Sequence, residues 1–344
     1  MTNGINGVIL TLEEKKKGLI KMYSERKKTI EKMEKIQNSK VILYVTGDRR
    51  RQETSIAKDV INIFSEHLDK IGETKKITLI LYTNGGDTLA AWNIVNMIRE
   101  YTDSLEVVVL HKALSAGSLI ALGAEKIIMS KQSILGPIDP SVYTPLNPVT
   151  NNKDIFPISV EDISGYMDFA REELAINKEE HLKDIYVNLT TKVHPLVVGK
   201  TYRVKNQIKM LAEKLIAMSN KSENSEQIIS FLCSESGSHD YTISKTEATK
   251  LGLPVAKPSE ELYELMKKLY YDLQEELQLD NEYNPMIELG NAEKKEYELR
   301  RGVLESVAGG SYMFLTKGVL SRSIVNNQLN INNAIQLQKW EKVH

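Results

Sequence analysis

Cysteine is almost absent from this 344-residue chain, in which Cys233 is the only one. A single thiol excludes an internal disulfide and suits a reducing compartment, and the apolar segment IISFLCSES around it indicates a position in the core. Charge of one sign is lacking too, because 45 basic residues balance 46 acidic ones. The composition therefore gives no indication that nucleic acid is a partner.

Long hydrophobic runs are also missing. No stretch reaches the roughly 20 apolar residues that a membrane-spanning helix needs. The first residues, MTNGINGVILTLEEKKKG, lack the basic start and the apolar region of a signal peptide. We therefore expect a cytoplasmic protein without a membrane span. No Cys and His spacing is typical of zinc and no GxxxxGK[ST] or GxGxxG motif occurs, so we expect no metal and no cofactor.

What the chain has instead is an alternation of short apolar runs and helical segments. The apolar runs are VILYV (41–45), ITLILYT (77–83), LEVVVLH (105–111) and KIIMS (126–130). Between them lie helical patterns over 55–72, 88–101 and about 115–124. This order is typical of βαβ units, and the predicted fold class is α/β with a mostly parallel sheet.

Three regions are predicted: a charged helical arm (1–39), the α/β core (40–257), and a C-terminal helix with a β-rich extension (258–344). The arm is expected to be solvated or to contact another subunit. The extension alternates in the manner of strands from residue 303 and is expected to form a small separate module. Either region could bind a partner protein.

The second half of the core combines a long loop with helices. Residues 137–157 are rich in proline and asparagine, which predicts the loop. Helical patterns then follow at about 160–175, 178–191, 201–219 and 224–235.

The first chemically suggestive stretch is LILYTNGGDTLAAW. A predicted strand ends at Thr83, and Asn84-Gly85-Gly86-Asp87 turns the chain into a helix. Paired glycines let the backbone approach a ligand and point N–H groups at it, as an oxyanion hole requires. The alternative is a tight turn in which Asp87 caps the helix.

The second stretch, HKALSAGSLIALG, comes one βα unit later. Ser115 stands at the strand-to-helix corner, and Ala116 and Gly117 begin the helix, where N–H groups have no intrahelical acceptor. A hydroxyl there would be presented beside free donors. Ser118, one turn further on, is a secondary candidate. The alternative is a serine helix cap among small residues that allow close packing.

Together, the two stretches resemble the Clp proteolytic subunit and signal peptide peptidase A group of the crotonase-like superfamily. The segments LYTNGGDTLAAWNIV, KALSAGSLIALGAEKIIMSKQSILGPIDPS and SHDYTISKTEATKLGLPV are similar, more narrowly, to the serine dehydrogenase proteinase family. The resemblance covers roughly residues 40–260 and implies a ClpP/crotonase-like fold. Asn84 departs from the pattern, in which proline is expected.

The resemblance implies a serine peptidase acting on a peptide or protein substrate. Ser115 would be the nucleophile, with Gly85 or Gly86 and Ala116 as oxyanion donors. Relatives of this fold assemble as rings or stacked trimers, so a homo-oligomer is expected. An ATP-dependent unfolding partner would be a separate chain, and nothing in the sequence argues for one.

The general base is left open by the sequence. The region about 25 residues after Ser115 reads GPIDPS, with Asp139 and no histidine, which excludes a Clp-like triad in that chain order. The resemblance to signal-peptide-peptidase-like enzymes favours a lysine further on, such as Lys200, and His194 is the other main candidate.

Two further residues, Lys178 and His239, stay open as bases. For His239 a structural role is favoured, because it and Asp240 would point to opposite faces of a strand and so would not form a catalytic pair.

Two other functions compete with the peptidase. A crotonase-type acyl-CoA enzyme would use the same two donors with a carboxylate near the site, for which Asp139 and Asp87 are candidates. A catalytically silent scaffold would bind partners through the arm and the extension. The Ser-Ala-Gly corner favours the peptidase.

Overall fold

The computed structural model describes residues 12–139, 141–150, 154–219, 224–235, 237–325 and 328–343. Its strands are β1 (Lys40–Thr46), β2 (Ile77–Thr83), β3 (Leu105–Ala113), β4 (Lys126–Met129), β5 (Ile134–Leu135), β6 (Ser141–Val142), β7 (Ile158–Ser159), β8 (Ile243–Ser244), β9 (Val255–Ala256), β10 (Lys294–Ser306), β11 (Gly310–Val325) and β12 (Gln328–Lys342). Its helices are α1 (Leu12–Gln37), α2 (Ile61–Ile71), α3 (Thr88–Arg99), α4 (Ala116–Leu122), α5 (Val160–Glu172), α6 (Glu179–Lys192), α7 (Pro195–Met218), α8 (Ser225–Ser230), α9 (Lys245–Lys250), α10 (Glu260–Leu277) and α11 (Pro285–Leu289). A 3₁₀ turn, Lys58–Val60, precedes α2, and a π-helical turn, Phe231–Glu235, follows α8.

The central sheet confirms the predicted α/β class. Its strands run in the order β12-β11-β10-β1-β2-β3-β4-β9, and β5 joins β3 to β8. The neighbours from β1 to β4 are parallel, and α2, α3 and α4 make the crossovers between them. The carboxyl ends of these strands therefore meet at one edge of the sheet, where the Gly-Gly turn and Ser115 follow β2 and β3.

Both faces of the sheet are buried, which explains why its strands are continuous apolar runs. Val41, Leu43 and Val45 of β1 pack on the side of α1 and α10. Ile42 and Tyr44 pack on the side of α2, α3 and α4. The molecule thus has three layers, with the sheet in the middle.

The N-terminal helix differs from the solvated arm expected from its charge. Tyr23, Ile30 and Met33 lie on one face of α1 and are almost fully buried against the sheet and α10. Arg26 lies on the same face and is 2 % exposed. The charge of this segment belongs to its outer face, while its apolar residues recur at helical spacing and belong to the core.

The C-terminal strands are not a separate module. β10 pairs antiparallel with β1, with Ile42 opposite Ser306, and β11 and β12 extend the sheet beyond it. Trp340 of β12 contacts Tyr44 of β1 through rings 6.3 Å apart. The strand pattern of this region was predicted from the sequence, but its docking on the open edge of β1 was not.

The predicted helices after the loop are present as α5 to α8. The loop itself contains a short hairpin of β6 and β7, whose Val142 and Ile158 pack against Val197 of α7. In α6 no residue is buried. The loop and helices α5 to α7 carry large apolar side chains that are exposed: Tyr143, Leu146, Val149, Phe156, Tyr166, Phe169, Leu174, Tyr186, Val187, Leu196, Tyr202 and Met210.

Candidate active site

Ser115 stands at a strained corner between β3 and α4. Its backbone has φ 50° and ψ −116°, a conformation that residues with a Cβ rarely adopt and that costs on the order of 1–3 kcal/mol. The Leu114 N–H donates to Thr83 O at 3.0 Å, which ties this corner to the end of β2. A strand, a strained serine turn and a helix is the arrangement that presents a nucleophilic hydroxyl.

The Gly-Gly turn packs directly against Ser115. A Cβ on Gly85 would lie 2.7 Å from Ser115 Cβ and 3.1 Å from the Ala116 nitrogen. A Cβ on Gly86 would lie 2.2 Å from Ile56 O. Both glycines have positive φ, 108° and 145°. Only glycine fits these two positions, and the absence of side chains lets the two turns touch.

Two backbone donors at this corner have no acceptor in the part of the chain that the structure describes. Among the described residues, no hydrogen bond is made by the N–H of Gly86 or by that of Ala116, the first residue of α4. The Gly85 N–H, in contrast, donates to Thr83 Oγ1 at 2.9 Å. Of the two glycines, only Gly86 therefore has an N–H that is available to an acceptor outside the described residues, as Ala116 also has.

Asp87 serves as the helix cap that the sequence offered as an alternative. Its carboxylate accepts from the N–H groups of Leu89 and Ala90 at the start of α3. The helix cap and the Gly86 N–H without an acceptor among the described residues occur in the same turn. The turn can therefore cap α3 and also offer a backbone donor. A carboxylate that is engaged in this way is poorly suited to act as a base on an acyl-CoA substrate.

Ser118, the secondary candidate, faces the protein interior. Its hydroxyl donates to Ala113 O at 2.8 Å and accepts from the Gly136 N–H at 3.0 Å. The residue is 1 % exposed. These contacts give Ser118 a structural role, because a hydroxyl with both bonds satisfied in the core cannot reach a substrate.

The two main candidates for the base, Lys200 and His194, lie in the first turns of α7 and at its N-terminal cap. Lys200 is exposed on α7, and His194 caps that helix, its Nδ1 accepting from the Leu196 N–H at 3.2 Å. Lys178 is exposed at the start of α6. Within the described part of the chain, none of the three donates to or accepts from Ser115. All three side chains are exposed to solvent.

Asp139 has a partner that the sequence did not predict. Its Oδ1 lies 2.9 Å from Nδ1 of His239, and the carboxylate is 5 % exposed while the imidazole is about half exposed. The hydrogen bond that His239 makes to the Asp139 carboxylate raises the pKa of the imidazole. The hydrogen-bond partner of His239 in the described residues is thus Asp139 and not the adjacent Asp240.

Other kinds of site find no support in the described ranges. There, His, Cys, Asp and Glu side chains do not gather in groups of three or more that could bind a metal ion. None of the helices in those ranges combines the length and apolar character needed to cross a membrane.

Comparisons with curated proteins give two relatives, both uncharacterized proteins of Methanocaldococcus jannaschii. MJ0137 is 29% identical over 194 residues, which cover 56% of this chain and 58% of that protein. MJ1495 is 26% identical over 196 residues, which cover 57% of each chain. The chain thus matches little more than half the length of these relatives.

The solved structures that match this chain include two kinds of protease. A 1510-N membrane-bound stomatin-specific protease matches at 20% identity with a TM-score of 0.38, over 65% of this chain and 78% of that one. ClpP1 from Listeria monocytogenes matches at 15% identity with a TM-score of 0.35, over 67% of this chain and 98% of that one.

The family comparison covers the part of the chain that holds both turns. The model of the ClpP-like SDH-type serine proteinases matches residues 8–152, which include the Gly-Gly turn, Ser115 and Asp139. The resemblance found in the sequence is thereby confirmed over residues 8–152, which are similar to the ClpP-like SDH-type serine proteinases.

Proposed function

We propose that the chain is a serine peptidase that cleaves peptide bonds through an acyl-enzyme on Ser115. The observation that carries the proposal is the strained Ser115 corner, in contact with the glycine turn and flanked by the free N–H groups of Gly86 and Ala116. A packing serine would not need this backbone conformation. The family match over residues 8–152 supports the same chemistry.

The reaction follows from this geometry in two halves. Ser115 Oγ bonds to the peptide carbonyl carbon while a base takes its proton, and the carbonyl electron pair moves onto oxygen. Gly86 and Ala116 donate to that oxyanion. When this tetrahedral intermediate collapses, the C–N bond breaks and the leaving amine takes up the proton from the base. Water then hydrolyses the ester of the acyl-enzyme by the same route.

The proposal includes a homo-oligomer in the cytoplasm that acts without ATP on its own. The exposed apolar side chains between residues 143 and 210 support the oligomer, because large apolar patches on soluble proteins usually mark interfaces. The single buried Cys233 suits the reducing conditions of the cytoplasm.

A fluorophosphonate probe, which reacts with activated serine hydroxyls, tests the nucleophile. We expect the wild-type chain to be labelled and Ser115→Ala to lose the labelling and the hydrolysis of a peptide library completely. Ser65→Ala, on α2 away from the corner, is the matched control and should be labelled like the wild type. Labelling that survives in Ser115→Ala would refute the assignment, and thioester turnover that survives in that variant would support the acyl-CoA enzyme instead.

A further inference from the structure

Strand β3 contains a β-bulge just before it ends. In its parallel pairing with β2, Val109 lies opposite Leu81, but Ala113 lies opposite Thr83. A step of two residues along β2 therefore matches a step of four along β3, and the extra residues fall within 110–112. A bulge bends its strand and changes the direction of the side chains that follow. This bulge therefore helps to set the direction in which the chain enters the corner after β3.

Lys112, the last residue of the bulge, is held by a carboxylate from two strands away. Its Nζ forms a salt bridge with Asp48 Oδ2, and Asp48 lies two residues after the end of β1. Both side chains are largely buried, with 17 % and 18 % of their areas exposed. Tyr82, on the intervening strand β2, donates from its hydroxyl to Asp48 Oδ1 at 2.8 Å. The ion pair thus joins the ends of three parallel strands.

Aromatic side chains enclose this ion pair on the α10 side of the sheet. The Lys112 ammonium lies 5.4 Å from the centroid of the Tyr82 ring, within the range of a cation–π interaction. His111, also in the bulge, stacks on Tyr270 of α10 with ring centroids 4.9 Å apart. Tyr82 and Tyr270 contact each other as well, at 6.0 Å. The side chains of the bulge are therefore fixed on the face of the sheet that packs against α10.

The position of the ion pair indicates what it does. A largely buried ion pair adds little to stability compared with apolar side chains of similar size, because both charges lose their water. Only Ala113 and Leu114 separate Lys112 from Ser115. The Leu114 N–H is bonded to Thr83 O at 3.0 Å. A displacement of the bulge would therefore be passed on to Ser115 and to its contact with β2.

We propose that Lys112, held by Asp48 and Tyr82, is a positioning residue that fixes the Ser115 corner against the Gly-Gly turn. This inference rests on the proposed function and gives Lys112 no contact with the substrate. The ion pair ties the end of β3 to the ends of β1 and β2. Because the Gly-Gly turn follows β2 directly, the same pair fixes the serine and the Gly86 N–H relative to each other before a substrate binds.

The test removes both charges together. In Lys112→Met with Asp48→Asn, no buried charge is left without a partner, and the new amide oxygen can still accept from Tyr82. The matched control is Arg99→Met with Glu125→Gln, which removes an ion pair at the opposite end of β3 whose side chains are 15 % and 27 % exposed. Glu125 accepts there from the Leu105 N–H, a bond that glutamine can keep.

Hydrogen exchange measures the positioning without requiring peptidase activity. We expect the backbone amides of residues 110–119 to exchange at least roughly tenfold faster in Lys112→Met with Asp48→Asn than in the wild type, because the corner opens locally more often. Mass spectrometry of the peptides that cover this segment gives the rates. The control variant should exchange there like the wild type.

The kinetics of fluorophosphonate labelling supply a readout that a purely structural role would not change. At saturating probe, we expect labelling of Ser115 to be roughly tenfold to 100-fold slower in Lys112→Met with Asp48→Asn, because a misplacement of about 1 Å can have an effect of this size. The probe concentration that gives half of the maximal rate should stay the same. The midpoint of urea unfolding should also stay close to that of the wild type.

Three results would overturn the positioning role. The first is an unchanged exchange rate over 110–119 or an unchanged labelling rate. The second is a urea midpoint far below that of the wild type, which would make the pair an element of stability alone. The third is an effect of the same size on exchange and labelling in the control variant.

The two proposals can fail separately. If the wild type is not labelled by the fluorophosphonate, the peptidase proposal fails, and hydrogen exchange still decides whether the ion pair holds the corner in place. If labelling depends on Ser115 but is unchanged without the ion pair, the peptidase stands and the role proposed for Lys112 is wrong.

Discussion

At the scale of single residues, two serines three positions apart have opposite surroundings. Ser115 is partly exposed in a strained conformation with no hydrogen bond to its hydroxyl among the described residues, whereas Ser118 is buried with its hydroxyl bonded to Ala113 and Gly136. We therefore expect substitutions of Ser115 to affect reactivity and substitutions of Ser118 to affect the stability of the fold.

Ser118→Ala tests this separation. We expect it to lower the free energy of unfolding by about 1–3 kcal/mol, because the Gly136 N–H loses a buried acceptor. Ser115→Ala should change stability little, and Ser115→Gly should raise it by roughly 1 kcal/mol, since glycine relieves the strained φ. Urea unfolding of the three variants measures these differences. A larger loss of stability in Ser115→Ala than in Ser118→Ala would contradict the roles assigned here.

The residues at the ends of β2 and β3 could be predicted because their signals are local. Gly85, Gly86 and Ser115 each follow an apolar strand within two or three positions, and parallel strands bring their ends together. The contact between Asp139 and His239 could not be predicted, because it depends on the pairing of β5 with β8. Both strands are two residues long and lie about a hundred residues apart, so neither gives a periodic signal.

At the scale of elements, α1 is held to the fold by a buried ionic network. Arg26 donates to both carboxylate oxygens of Glu305 on β10, at 3.0 and 2.7 Å, and also contacts Glu276 and Asp272 of α10. Arg300 pairs with Glu276 at 3.3 Å. One guanidinium thus joins two helices and a strand. The sequence shows Arg26 only as one basic residue among many, so its burial could not be predicted.

Replacing Arg26 by methionine should be costly in a pH-dependent way. We expect Arg26→Met to lose about 3–5 kcal/mol at pH 7, because it leaves the buried Glu305 carboxylate without its cation and leaves Glu276 with Arg300 alone. Burial already raises the pKa of Glu276, and Arg26 opposes this, so the pKa rises further in the variant. The folded state then binds protons more readily than the unfolded state, and the loss should be smaller at pH 5.

Urea unfolding at the two pH values measures the effect. Lys28→Met, which removes an exposed pair with Glu25 at 2.8 Å, is the control and should change stability by less than about 1 kcal/mol. An equal loss in both variants would contradict the role of the network.

The contact between α2 and β10 should give the fold a second pH dependence. His67 is fully buried, its Nδ1 lies 2.8 Å from Ser306 Oγ, and burial lowers the pKa of the imidazole to about 4. Between an unfolded pKa of about 6.5 and that value, only the unfolded state binds the proton, so stability falls as the pH drops. We expect the protonation of His67 in the unfolded state to lower the free energy of unfolding by about 2 kcal/mol between pH 7 and pH 5.

The comparison of two histidine variants isolates this contribution. His67→Gln should show less decline in the free energy of unfolding between pH 7 and pH 5 than the wild type. His181→Gln, whose imidazole is exposed in the native state, should show the same decline as the wild type. Identical slopes for wild type and His67→Gln would refute the assignment.

At the scale of the whole molecule, the apolar surface between residues 143 and 210 predicts self-association. We expect light scattering to give a multiple of the chain mass of 38.9 kDa. Phe169→Glu with Tyr202→Glu, which places charges at side chains 56 % and 68 % exposed, should dissociate the assembly. Tyr271→Glu on α10, with 63 % exposure, is the matched control. A wild-type chain that scatters as a monomer would contradict the expected oligomer.

The pairing of β1 with β10 has a consequence for the synthesis of the chain. Ile42 and Ser306 are neighbours in the sheet although roughly 260 residues separate them. A ribosome completes β1 to β4 well before it reaches β10, so the nascent polypeptide displays a free apolar edge for most of its translation. We therefore expect the yield of soluble protein in recombinant expression to depend on how long the edge of β1 stays unpaired before β10 is synthesised. Slower growth or added chaperones should raise this yield more than mutations that stabilise the folded protein.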